Sequence, residues 1–172
     1  MIIQLNKNSH KIWNNSVFSV EAIIDETLWD RQLITDFQKN LKKISNEIYK
    51  NSDLVNTNKI NSVSVLFAGD KKITELNNLY RKTNLPTNVL SFPYIIERNK
   101  EKFLGDIIFS AETIFKEAKR DKKSFINHLI HLFIHGILHL LGYDHQTEDN
   151  AEIMESLEIK ILKTLKIDNP YE

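Results

Sequence analysis

The chain has 172 residues, 41% of them hydrophobic, with 23 Lys and Arg balanced by 23 Asp and Glu and no cysteine. That length and apolar content fill one core and fall short of a comfortable two-domain chain, so a single domain is expected. Lack of cysteine excludes disulfides and thiolate metal ligands, and zero net charge removes the basic surplus by which phosphate-binding proteins usually declare themselves.

No basic segment followed by an apolar run opens the chain. The most apolar window, Leu129 to Leu141, is too short and too rich in histidine to span a bilayer. A soluble cytoplasmic protein with no membrane partner, monomeric by default, is the expectation. In chain order, Phe18 to Ile24 reads as a strand, and Thr27 to about Tyr49 as an amphipathic helix with Leu28, Leu33, Phe37, Leu41, Ile44 and Ile48 inward. The polar stretch Lys50 to Asn61 breaks that pattern. Val63, Val65 and Phe67 alternate as a second strand, and Gly69 with Asp70 leads into a helix ending near Arg81. Pro86 and Pro93 bracket a third extended segment, Val89 to Phe92. Proline removes a ladder donor, so that segment belongs at a sheet edge, with open backbone groups beside a cleft. Leu104 to Ser110 makes a fourth strand, followed by a short helix from Ala111, a second from about Ser124 and a last from about Thr147 to Leu165. Strands early and helices late argue for an α+β fold.

The most informative stretch is His135 to His145, HGILHLLGYDH. Residues four apart lie on one helix face, so the imidazoles of His135 and His139 can share one ion. Gly142 stands where the helix needs a residue tolerant of the left-handed region, and the returning chain brings His145 to the same point. Three neutral imidazoles fit one zinc ion with a fourth position open for water or substrate, as in a catalytic rather than a closed structural site. The apolar residues of this helix cover most of its circumference, so its histidines need partners. His131 lies on the same stripe and is read as supporting a ligand or meeting substrate, and His128 as packing. The spacing is also that of the metzincin proteases. Those carry a glutamate as general base directly after the first histidine, and here that position is Gly136.

HGILHLLGYDH and the segment YRKTNLPTNVLSFP from Tyr80 to Pro93 resemble the bacterial YbeY family, as do LGDIIFS from Leu104 to Ser110 and the closing EIMESLEIKIL helix. The resemblance runs in consistent order from about Val17 to the C-terminus. It leaves residues 1 to 16 as an N-terminal extension and 17 to 172 as the domain. It implies a mixed four-stranded sheet packed with helices around a metalloprotease-like (zincin) core. It also implies a metal-dependent endoribonuclease specific for single strands, acting in maturation of the 16S ribosomal RNA 3′ end and in ribosome quality control. The implied partners are precursor ribosomal RNA and ribosomal subunit proteins. By the same resemblance His135, His139 and His145 bind one zinc ion, and Arg81 is important for activity. Two departures stand out: the pattern does not expect His128, and residues 1 to 16 precede the usual first strand; position 88 is asparagine where many relatives carry aspartate, but the family uses both.

Several roles stay open at this level. Arg81 suits a phosphate clamp, since a guanidinium can hold two oxygens as charge develops, but it equally suits a salt bridge capping its helix. Asp144 either orients an imidazole or caps the turn after Gly142. Thr87, Ser91 and Phe92 are groove candidates, with Phe92 either stacking on a base or packing inward. Asp106 has no assigned role, and Met154 reads as core. Lys116, Lys119, Arg120, Lys122 and Lys123 form one basic run and Lys39, Lys42, Lys43 and Lys50 another; such runs are usually solvated faces. Two rivals to the ribonuclease therefore remain: a metallohydrolase of peptides or small substrates, and a ribosome-associated binding protein with a structural zinc.

Overall fold

The computed structural model describes residues 8–14, 18–52, 60–98 and 101–172. Its elements are β1 (Asn8–Asn14), β2 (Phe18–Asp25), α1 (Arg31–Asn51), β3 (Ile60–Ala68), α2 (Asp70–Arg81), β4 (Val89–Arg98), β5 (Glu101–Ser110), α3 (Ala111–Arg120), α4 (Phe125–Leu140) and α5 (Glu148–Thr164). The sheet order is β1-β2-β3-β5-β4. β2, β3 and β5 run parallel, and the outer strands β1 and β4 are antiparallel to their neighbours. The α+β expectation holds, but the sheet has five strands rather than four. The added strand, β1, lies in the stretch read as an extension. It shows no clean two-residue period because Ile12 and Trp13 are adjacent, and only Trp13 is buried. Its polar residues suit an exposed edge.

Two-residue alternation decides which face is covered. Phe18, Val20, Ala22 and Ile24 of β2 and Val63, Val65 and Phe67 of β3 point into one core with α1, α4 and α5. Phe37 of α1 meets Phe67 edge-on at 5.6 Å and Phe133 of α4 at 5.2 Å. α2 lies on the opposite face, where Ile73 packs with Ala68, Leu90 and Ile108. α4 is the innermost helix: Leu129, Ile130, Leu132, Phe133, Ile134, Ile137, Leu138 and Leu140 are all buried. Each such side chain contributes about 1.5–3 kcal/mol by leaving water.

Local chemistry explains the boundaries that differ from expectation. α1 starts at Arg31 rather than Thr27, because the Asp25 carboxylate takes the Thr27 amide and hydroxyl into a turn. Asp30 then caps the helix through the amides of Gln32 and Leu33. Leu28 consequently falls before the helix and is exposed. β4 runs on through Pro93 to Arg98, tolerated because it is an edge strand, with a register irregularity after Pro93. Opposite Pro93, Gly105 has φ of 140°, and a Cβ there would lie 2.2 Å from the Phe92 carbonyl oxygen. Only glycine lets the two strands approach this closely. Among the described residues, no helix is long and apolar enough to cross a membrane.

Candidate metal centre

α4 carries His135 and His139 one turn apart on its one incompletely buried stripe. The helix ends at Leu140, with Leu141 as its C-cap. Gly142 adopts φ of 96°, and the Tyr143 amide donates to the Leu138 carbonyl at 3.0 Å, so the chain turns back as the spacing predicts. The return lays the His145 ring over His135, with centroids 5.5 Å apart and planes 25° apart, and brings it within 5.0 Å of His139. One nitrogen from each of the three rings lies within 4.8 Å of the others. The Nε2 atoms of His135 and His139 face each other at 3.0 Å.

The outer nitrogens have partners. His135 Nδ1 donates to Glu158 Oε1 at 2.8 Å, and His139 Nδ1 donates to the Tyr143 carbonyl at 3.0 Å. Those bonds select the tautomer whose Nε2 lone pairs point inward, the usual arrangement behind a histidine ligand. Tetrahedral zinc–nitrogen bonds of about 2.0–2.1 Å put ligand nitrogens about 3.3 Å apart, so the three donors fit such an ion. Burial, together with neighbouring His135, holds the His139 pKa below its ordinary value, which favours the neutral, metal-binding form.

Glu158 was not expected from sequence. It is fully buried on α5 and also meets His131 Nε2, at 2.8 Å. Burial opposes its charge, yet the bonds from His131 and His135 bring its pKa down to about 2. The signal was present in the chain: a lone glutamate one turn after Met154 and one turn before Ile161 and Leu162, all buried on the same stripe. His131 therefore supports a candidate ligand through a shared carboxylate. His128 instead pairs with Glu117 at 2.7 Å, and Glu117 in turn accepts from Asn88 Nδ2 at 3.0 Å.

A cleft of about 510 Å³ opens over the three histidines, between the edge strand β4 and the turn 142–146. Thr87, Asn88 and Ser91 line one wall and Arg81 the rim. Arg81 is set there by the end of α2: Lys82 takes the left-handed conformation, and buried Asn77 donates to the Leu85 carbonyl, folding the following loop inward. The Arg81 guanidinium has no ion pair among the described residues, so the helix-capping salt bridge is not what holds it. Asp144 accepts from the Gln146 amide and from Asn150 Nδ2, which makes it the turn cap. Phe92 packs on Tyr80 at 4.8 Å, away from the cleft, and Asp106 accepts from the Tyr94 hydroxyl. Met154 is buried core. Much of the basic runs is engaged within the protein, as in the pairs Lys116–Asp70, Arg120–Asp121, Lys39–Asp36 and Lys50–Glu47.

Gly136 of α4 packs against β4 and β5. A Cβ there would stand 3.0 Å from Ile107 Cδ1 and 3.1 Å from Ser91 Oγ. A glutamate at this position would need Ile107 and Ser91 to give way, and among the described cleft residues the one carboxylate is Asp144, already engaged as the turn cap. Gly136→Glu is expected to cost at least about 3 kcal/mol through overpacking and a buried charge, read as a lowered Tm, and to create no peptidase activity.

A family profile described as Endoribonuclease YbeY matches residues 24–166, a span that holds Arg81, the three histidines and Glu158. The chain belongs to the YbeY family. Endoribonuclease YbeY of Bartonella quintana is 38% identical over 160 residues, covering 90% of this chain and 98% of the relative. The YbeY of Bartonella bacilliformis is 48% identical over 112 residues, covering 63% of this chain and 71% of the relative. The solution structure of TM1509 from Thermotoga maritima aligns with a TM-score of 0.50 at 24% identity, over 80% of this chain and 86% of that one, and shows the likeness of fold.

Proposed function

We propose that this YbeY-family chain is a zinc-dependent endoribonuclease that cuts single-stranded RNA, acting on precursor ribosomal RNA near the 16S 3′ end and working with ribosomal subunit proteins in the cytoplasm. One observation carries the reading beyond family membership: a guanidinium with no ion pair among the described residues and a three-histidine donor set share one cleft. A peptidase needs a free carboxylate base there, and a structural zinc needs no open cleft.

His135, His139 and His145 hold the zinc, which when bound supplies Lewis acidity and lowers the pKa of water. Arg81 binds the scissile phosphate, its planar fork matching two oxygens, and offsets the charge that grows as phosphorus becomes five-coordinate. Thr87, Asn88 and Ser91 offer hydrogen bonds along the wall. Asn88 is oriented by Glu117, whose carboxylate accepts from its Nδ2 and so fixes the face the amide turns to the cleft. The cleft has the size of a small-ligand pocket, so it takes an extended strand rather than a duplex.

The test is cleavage of a labelled single-stranded 16S 3′-end fragment by native, chelated and zinc-restored protein. Loss on chelation and recovery with zinc is expected; cleavage indifferent to chelation would sink the proposal. Arg81→Ala should slow cleavage about 10²–10³-fold with zinc content unchanged, the range for removing one group that stabilises transition-state charge. Within threefold of wild type, Arg81 would be only a rim residue.

A further inference from the structure

Glu158 receives a third donor, from the end of the chain. The Tyr171 hydroxyl donates to Glu158 Oε2 at 2.6 Å, the oxygen that also meets His131. The route is well anchored. Lys166 takes the left-handed conformation after α5, and the Ile167 amide donates back to the Leu162 carbonyl at 3.1 Å, which reverses the chain. Ile167 then packs on the main core. Lys123 Nζ donates to the Pro170 carbonyl at 2.7 Å, and Asn169 Oδ1 accepts from the Tyr171 amide at 3.1 Å. The Tyr171 ring stands edge-on to His131, with centroids 5.9 Å apart and planes at 82°.

We propose that the segment 167–172 clamps the metal centre, with Tyr171 as a positioning residue that fixes the Glu158 carboxylate and through it the His135 imidazole. The inference rests on the metal reading above. Tyr171 lies beyond residue 166, where the family match ends, so the match itself assigns it nothing. His135 holds one oxygen of Glu158, while His131 and Tyr171 share the other, so without the Tyr171 hydroxyl that second oxygen rests on the partly exposed His131 ring alone and the carboxylate is less firmly aimed at His135. A histidine ligand keeps its aim, and its basicity, through the group behind it. Burial and the adjacent Glu158 push the Tyr171 pKa upward, so the hydroxyl remains a donor at any working pH.

The experiment compares wild type, Tyr171→Phe, a chain ending at Pro170, and Tyr94→Phe. The last loses a like bond, from the Tyr94 hydroxyl to Asp106, neither of which lines the histidine cleft or touches Glu158. Zinc alone is titrated into each apoprotein against a chromophoric chelator, and the visible spectrum of the cobalt(II) form reports ligand geometry. Expected is an affinity about tenfold weaker for Tyr171→Phe and for the shortened chain, with an altered cobalt spectrum. Tyr94→Phe should match wild type in both. Zinc affinity within twofold of wild type and an unchanged spectrum in Tyr171→Phe would overturn the clamp, as would an equal loss in Tyr94→Phe. Should the shortened chain alone fold, its titration decides on the same criteria. Failure of the wild type itself to bind zinc would overturn the metal centre, and the clamp with it.

Discussion

His139→Ala is expected to reduce RNA cleavage to background in a protein that still folds. His139 donates one of three converging nitrogens, and the remaining pair leaves the site short of the three protein ligands a catalytic zinc ordinarily has. Loss of the ion removes several kcal/mol of charge stabilisation, so the rate should fall by about 10³-fold or more. The core should survive, because the apolar residues of α4 pack without help from the ring. Metal content, circular dichroism and cleavage, measured on identically purified proteins, check all three statements. Cleavage equal to wild type would assign the activity to a contaminant or to another site and favour a binding protein. A collapse of Tm with the metal would make the zinc structural.

Glu158→Ala should do more damage to the fold and less to the chemistry. Removing a fully buried carboxylate strands donors on His131, His135 and Tyr171, a loss of about 3–5 kcal/mol when a buried pair is broken. Zinc affinity should also drop about 10–100-fold as His135 loses its support. The apoprotein carries a further signature in acid. Because the folded pKa of Glu158 is about 2 against an ordinary 4.5, its contribution is complete above 4.5 and is lost as pH falls towards 2. Denaturant titrations of wild type should show stability declining through that window, and the variant should lack that part of the slope. A variant with wild-type stability and wild-type zinc affinity would contradict the role given to Glu158.

The difference between these two residues explains what sequence could reveal. His135, His139 and His145 sit within eleven residues, and one helix turn plus one left-handed glycine determine their meeting; such geometry is local and readable. Glu158 and Tyr171 reach the same centre only because α5 docks on α4 and the chain then reverses; periodicity marks Glu158 as a glutamate on a buried stripe but does not say what it meets. Strand β1 escaped for a related reason, since an edge strand with one buried side chain has little pattern to show. Arg81 could be singled out but not resolved between two roles, because the absence of a partner is a tertiary fact. β4 was found at its apolar start and missed past Pro93, where exposed Tyr94, Ile95 and Ile96 do not alternate in burial.

The deep burial of α4 has a kinetic consequence. His135 and His139 ride on the part of the molecule that opens last, since a helix lined with core side chains separates only in global unfolding. His145 stands exposed on a short turn held by Asp144 and Asn150, the kind of lightly buried surface segment expected to open locally before the core does. An ion held by the three rings would therefore enter and leave by the swing of one ring, past two that stay in place. Its exchange rate is set by the breathing of a few surface residues rather than by the lifetime of the fold.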